Sequence, residues 1–344
     1  MKTLGQTRAL AEVGKLTYQV LDTLPGIEAI SAEWDLLLDQ SPCNRAFSCS
    51  RWFLVSCSLN QSISPHVIVA RRGAVIVAVL PLVLVNDGKI ATFASELCDY
   101  NDIVSNENDR SVLVGLLGYA ISLGVAYKRV VLSRVRRDSN CFRAVEILKR
   151  NGSNVPVSQV TGTCPYVDLS FSYDEYLRTR RKSFRKGLRR AQRKAESSNI
   201  AVRELDPIHF PPSRLPEAFL SLNLDRWGAK SYYRSSFVES FVLKLLPDLF
   251  SQRRVRAFAL MKEERLLGLD LCMVGPTSLC SWNGGFLSEA SRCSPGKLLI
   301  DAGIRQAYTM KLREYDLLRG DEAYKASWAN STRQIAMIEC DVGG

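Results

Sequence analysis

Histidine is almost missing from these 344 residues: His66 and His209 are the only two. Two histidines so far apart build no zinc centre of usual spacing. They also make a Ser-His-Asp triad a poor reading, since no G-x-S-x-G is present, and H-E-x-x-H is absent too. The ten cysteines, at 43, 49, 57, 98, 141, 164, 272, 280, 293 and 340, include no C-x-x-C pair. No metal site is therefore expected, and the thiols are expected free, as small core residues. Long apolar runs are lacking as well. Ala74 to Val85 (AVIVAVLPLVLV) is twelve residues with a proline inside, too short for a bilayer, and reads as two buried strands. The opening MKTLGQTRALAEVGKL has no apolar core of signal-peptide length. These absences point to a reducing, cytoplasmic setting, with a peripheral membrane role left open.

What is abundant is positive charge, in one place. The net charge is +11, from 46 basic and 35 acidic residues. Ten of the cations lie in Arg178–Lys194, RTRRKSFRKGLRRAQRK, which has no acid; without them 36 bases face 35 acids. A generally basic surface of the histone or ribosomal kind is excluded. Ser172 and Glu175 have capping-box spacing, which predicts a basic helix over 173–197. Leu177, Phe184, Leu188, Ala191 and Ala195 form its apolar stripe. Arg181, Lys182, Arg185, Lys186, Arg189 and Arg190 then face outward, either as a plain solvated face or as a polyanion site. Aromatic residues are too sparse here for base stacking.

Helical and strand-like segments alternate in a similar order twice over, which predicts an α+β protein of two similar domains, 16–165 and 166–340. In the second, strand LCSWNGGF leads into SPGKLL. That is no P-loop, because Ser291 and Leu298 stand where it needs Gly and Ser/Thr. It still places Ser294, Gly296, Lys297 and Leu298 at a helix start, where free N–H groups and the dipole favour a phosphate; an ordinary βα turn is the alternative. Further on, YDLLRGDEAYKASW is read as a strand, a Gly320 break and a helical turn. Asp316, Asp321, Tyr324 and Lys325 crowd there, with Asp321 and Lys325 four apart. The cluster suits proton transfer at an amine or hydroxyl, and a surface ion pair is the plainer account.

YDLLRGDEAYKASWA resembles a signature of GNAT-superfamily acyltransferases of the cellulose and envelope-polysaccharide-biosynthesis type, built like the Fem-type aminoacyltransferases from two GNAT-like domains. Supporting pieces, in order, are Trp34, Phe47 and Trp52, then VLPLVLV, CDYNDIV, RKSFRKGLRRAQRK, LDRWG and SPGKLL, over roughly residues 25–335. The resemblance implies transfer of an acyl group from a thioester, acyl-CoA, to an amine or hydroxyl of a small-molecule, saccharide or secondary-metabolite acceptor, with no tightly bound cofactor. It implies Asp316 or Asp321 as base, Tyr324 as acid, Lys325 as orienting group and phosphates near Gly296. Asp99, Tyr100, Arg226, Trp227, Trp282 and Asn283 become candidates for the acceptor pocket. The usual Arg/Gln-x-x-Gly-x-Gly/Ala loop is degenerate in RCSPGK, so aminoacyl-tRNA, the Fem-type donor, is the second reading. A silent polyanion-binding module is the third.

Overall fold

The computed structural model describes residues 15–94, 97–106, 110–124, 126–152 and 157–342; most of the opening peptide lies outside them. The chain divides into two compact units, Met1–Gly162 with Gln334–Gly344, and Thr163–Arg333.

The first unit carries β1 (Leu16–Leu21), α1 (Leu24–Ala29), α2 (Ser31–Gln40), α3 (Ser50–Leu59), β2 (Ser64–Arg72), β3 (Val75–Val85), β4 (Ile90–Phe93), α4 (Arg110–Ser122), β5 (Arg129–Arg136) and α5 (Asn140–Arg150). Its sheet runs β1-β2-β3-β4-β5, antiparallel except for the parallel β4–β5 pair. The alternating and apolar strand residues meet α4 and α5 in one core, among them Ile68, Leu80, Leu116, Leu132 and Val145. AVIVAVLPLVLV forms a single strand rather than two. β4 pairs with β3 only from Leu82 onward, so Pro81, which has no N–H, sits where that ladder has not begun.

The second unit carries the end of β6 (Val157–Asp168), α6 (Tyr173–Thr179), α7 (Lys182–Ser197), β7 (Ile200–Leu205), α8 (Leu215–Trp227), α9 (Ser236–Ser251), β8 (Val255–Lys262), β9 (Arg265–Val274), β10 (Ser278–Phe286), α10 (Pro295–Thr309), β11 (Glu314–Asp316) and α11 (Ala323–Trp328). The strand order is β6-β11-β10-β9-β8-β7. The capping box is formed: Ser172 and Glu175 each satisfy the other's backbone N–H. The basic segment, however, is two helices. Arg180 and Arg181 are extended, and the Arg180 guanidinium donates to the carbonyls of Trp328 (3.2 Å) and Ala329. A tertiary contact therefore overrides helix propensity there, and Leu177 drops out of the buried stripe of Phe184, Leu188, Ala191 and Ala195.

A last strand, β12 (Ser331–Asp341), was not expected from the sequence. Ile335–Asp341 pair with β5, so the C-terminal segment clusters with the first unit although the linear division 166–340 had put it in the second. All ten cysteines are buried thiols outside any disulfide.

Candidate active site

β9 and β10 form a hairpin with an irregularity between Ser281 and Asn283, which leaves Trp282 as the extra residue on β10. Trp282 stacks on Phe219 of α8 at 6.0 Å and meets the Tyr233 ring at 6.3 Å. Asn283 donates to the Tyr233 hydroxyl at 2.8 Å. At Gly285 a Cβ would lie 2.3 Å from the backbone of Leu222, so glycine is what lets α8 sit directly on the strand.

On its other edge β10 pairs in parallel with β11, but only over Ser278–Cys280 with Glu314–Asp316. β11 then stops. The Leu317 N–H turns to the Pro165 carbonyl, and Leu318 adopts a left-handed φ of 59°. β10 continues to Phe286, so the two strands make a short parallel pair followed by an open edge at Ser281–Phe286.

Asp270 of β9, paired with Gly284 in that open-edged stretch of β10, was not singled out from the sequence. Its side chain is enclosed (8% of the residue is exposed), and its partners are the Ser281 hydroxyl at 3.2 Å and the Cys272 thiol at 3.5 Å. The Tyr315 hydroxyl lies 3.8 Å from the same thiol. A hydroxyl and a thiol replace water poorly around a carboxylate, and burial pushes the Asp270 carboxyl up to about 6. At neutral pH it is mostly ionised yet readily takes a proton, as a general base requires. Arg226 and Tyr324 act on it electrostatically. Tyr324 is half exposed, and burial of its ring face with Glu322 nearby pushes its hydroxyl up to about 12, so it stays a proton donor. The sequence signal for Asp270 was a lone carboxylate inside the apolar strand LLGLDLCMV.

The cluster expected in YDLLRGDEAYKASW is arranged differently. Asp316 is wholly buried, its Oδ1 accepts the Leu318 N–H at 2.8 Å, and Arg333 lies 3.9 Å from Oδ2; it secures the turn. Asp321 is exposed. Lys325 pairs not with Asp321 but with Glu322 at 3.0 Å, and it donates to the Arg319 carbonyl. Gly320, at φ 120°, leaves room for this: a Cβ there would lie 2.2 Å from the Glu322 carboxylate. Asp99 and Tyr100 belong to the first unit, where Tyr100 is buried against Phe47 and under Arg136. In the second unit Arg226 lies over Trp227 and Phe286, Trp282 and Asn283 meet Phe219 and Tyr233, and Tyr324 and Arg226 act electrostatically on Asp270.

The start of α10 has no side-chain cap, and Ser294 before it is left-handed. The N–H groups of Lys297 and Leu298 return to the Ser294 carbonyl at 3.0 and 3.4 Å, and the Leu298 side chain is core. Open space remains at Gly296, where a Cβ would meet nothing within 4 Å. Beside it runs α7: the Lys297 ammonium lies over the Phe184 ring at 5.7 Å, and Lys194 donates to the Arg292 carbonyl. Arg181, Lys182, Lys186, Arg189 and Arg190 are exposed and Arg185 half-buried; among the described residues none of the six has a carboxylate partner. Cations at the positive end of a helix add repulsion that a bound anion relieves.

Residues 182–326 match the family model described as an acetyltransferase (GNAT) domain. This segment has a GNAT-like fold. The fold of the whole chain is that of tandem GNAT proteins. It is similar to FemX (TM-score 0.65, 12% identity, 93% of this chain and 96% of that one) and to L-PGS from Bacillus licheniformis (0.60, 12%, 89% and 90%). It is also similar to a tandem GNAT protein from the clavulanic acid biosynthesis pathway (0.50, 13%, 96% and 99%). No curated protein sequence matches the chain. The GNAT domain thus contains Asp270, Ser281, Tyr324, the uncapped α10 start and α7. Among the described residues no helix is long and apolar enough to cross a membrane, and no group of His, Cys, Asp and Glu is placed to hold a metal ion.

Proposed function

We propose that the second unit transfers an acyl group from a thioester, acyl-CoA, to an amine or hydroxyl, with Asp270 as the base. The observation that carries this reading is an enclosed carboxylate poised at about 6 beside an open strand edge, within the domain whose α10 start and α7 cations suit a phosphorylated donor. The acceptor lone pair attacks the thioester carbonyl, and its proton passes to Asp270. As the carbon–sulfur bond breaks, the thiolate takes a proton from Tyr324. The edge of β10 offers backbone N–H and C=O groups to an extended donor arm. Lys325, held by Glu322 and Arg319, supports the turn instead of orienting substrate. Saccharides and secondary metabolites, suggested by the resemblance to envelope-polysaccharide enzymes, remain within the acceptor class. Acetyl-CoA with a mixture of small amines should give thiol release that depends on amine. No release above buffer, with any acyl-CoA tried, contradicts the reading.

The α7 cations, which have no carboxylate partner among the described residues, favour one second reading, in which the donor is an aminoacyl-tRNA. Activity abolished by ribonuclease supports that donor; indifference to ribonuclease with acyl-CoA turnover supports the thioester.

A further inference from the structure

Arg226 ends α8 in an unusual state. Its guanidinium lies 4.5 Å from the centroid of the Trp227 ring and 4.5 Å from that of Phe286. Two rings hold the cation in place while its donors stay open to solvent, for Arg226 itself is exposed. Yet among the described residues no oxygen accepts a hydrogen bond from this guanidinium and no carboxylate pairs with it. Other arginines of the same unit have such partners: Arg253 has Asp206, Arg256 has Glu204, and Arg333 has Glu314. A guanidinium already fixed between two rings, with its donors free, needs little further ordering to bind an anion.

Its place says which anion. α8 is seated on β10 by the close approach at Gly285, so the end of the helix is a fixed support. Asp270 and Tyr324 are the groups that act electrostatically on Arg226. Phe286, under the guanidinium, pairs with Gly268, two residues along one face of β9 from Asp270, so a positive fork and a negative carboxylate lie near each other on the hairpin. A single guanidinium matches a planar carboxylate in two parallel hydrogen bonds. A dianionic phosphate would bring a second charge toward Asp270, and the nearby buried cation, Lys325, is already spent on Glu322.

We propose that the acceptor is an amine that also carries a carboxylate, an amino acid or an amino-acid group of a larger molecule, with its carboxylate on Arg226 and its amine facing Asp270. This rests on the acyl-transfer reading of the site. The ammonium form is drawn to the Asp270 carboxylate and passes one proton through it to solvent before attack, which leaves the carboxylate ionised to take the second proton as the amide forms.

Equilibrium binding to the full chain, without any acyl donor, tests this. The probes are free amino acids spanning the natural side chains, their amides, and O-phosphoethanolamine. At least one acid should bind about tenfold or more tightly than its amide, as one charged bidentate contact predicts. Arg226→Gln should remove that preference while leaving the affinity for the amide and the thermal unfolding midpoint unchanged, and Arg226→Lys should restore part of it. Amides or phosphoethanolamine binding as tightly as the acids, no acid binding, or a preference that survives Arg226→Gln would overturn the proposal. Because no donor is present, this outcome is separate from that of the acyl-transfer reading, which is decided by thiol release.

Discussion

Each unit holds an aspartate whose carboxyl burial pushes up to about 6, Asp102 in the first and Asp270 in the second, and the two are held in opposite ways. Asp102 accepts backbone N–H groups from Cys141 at 2.7 Å, Ile103 at 2.8 Å and Asn140 at 3.1 Å, so it caps α5. Asp270 is held by side chains instead, the Ser281 hydroxyl, the Cys272 thiol and the Tyr315 phenol, with Arg226 acting on it electrostatically. The same displacement from the ordinary carboxylate range thus accompanies a structural group in one unit and the proposed base in the other. The difference lies in the partners: backbone amides cannot leave, whereas a hydroxyl can turn away when a proton arrives. A shifted carboxylate marks a candidate base only when its hydrogen-bond partners leave it free to act.

Substitution separates the pair. Asp270→Asn should reduce amine-dependent thiol release by about 10²–10⁴-fold, the usual worth of a general base, with little change in unfolding midpoint. Asp102→Asn should do the reverse: it sets an amide N–H against a backbone donor and should cost about 1–3 kcal/mol in denaturant unfolding, with kcat little changed. Activity lost in Asp102→Asn at full stability would break the contrast. Ser281→Ala is the smallest of the three. Removing a donor to the ionised form should raise the Asp270 pKa by about 1 unit, read as an upward shift of the acidic limb of the rate profile.

The periodicity that set most elements was legible because it is local. The capping box of Ser172 and Glu175 is formed as its spacing predicts, and the apolar stripe of Phe184, Leu188, Ala191 and Ala195 is buried. What escaped depends on distant partners. The break at Arg180–Arg181 answers to carbonyls of Trp328 and Ala329, and β12 is a strand because β5 waits for it. The density of charge in YDLLRGDEAYKASW drew attention to Asp316, whose carboxylate serves its own turn two residues on. Asp270 stands alone in an apolar strand, and only the fold shows which groups surround it. The polyanion reading of α7 sharpened instead: its cations flank the α10 start and have no acidic partners among the described residues.

The central claim is that Asp270 is the base, and its titration gives the most direct measurement. A raised folded pKa means the fold favours the neutral form, so the Asp270 contribution to stability is fullest below about 4 and is lost as pH rises through about 6. Activity runs the other way, because the base must be ionised. The kcat/KM for thiol release, measured from about pH 5 to 9, should fall on the acidic side with a limb near 6, and Asp270→Asn should abolish that limb. A limb near 6 that persists in Asp270→Asn would contradict the account.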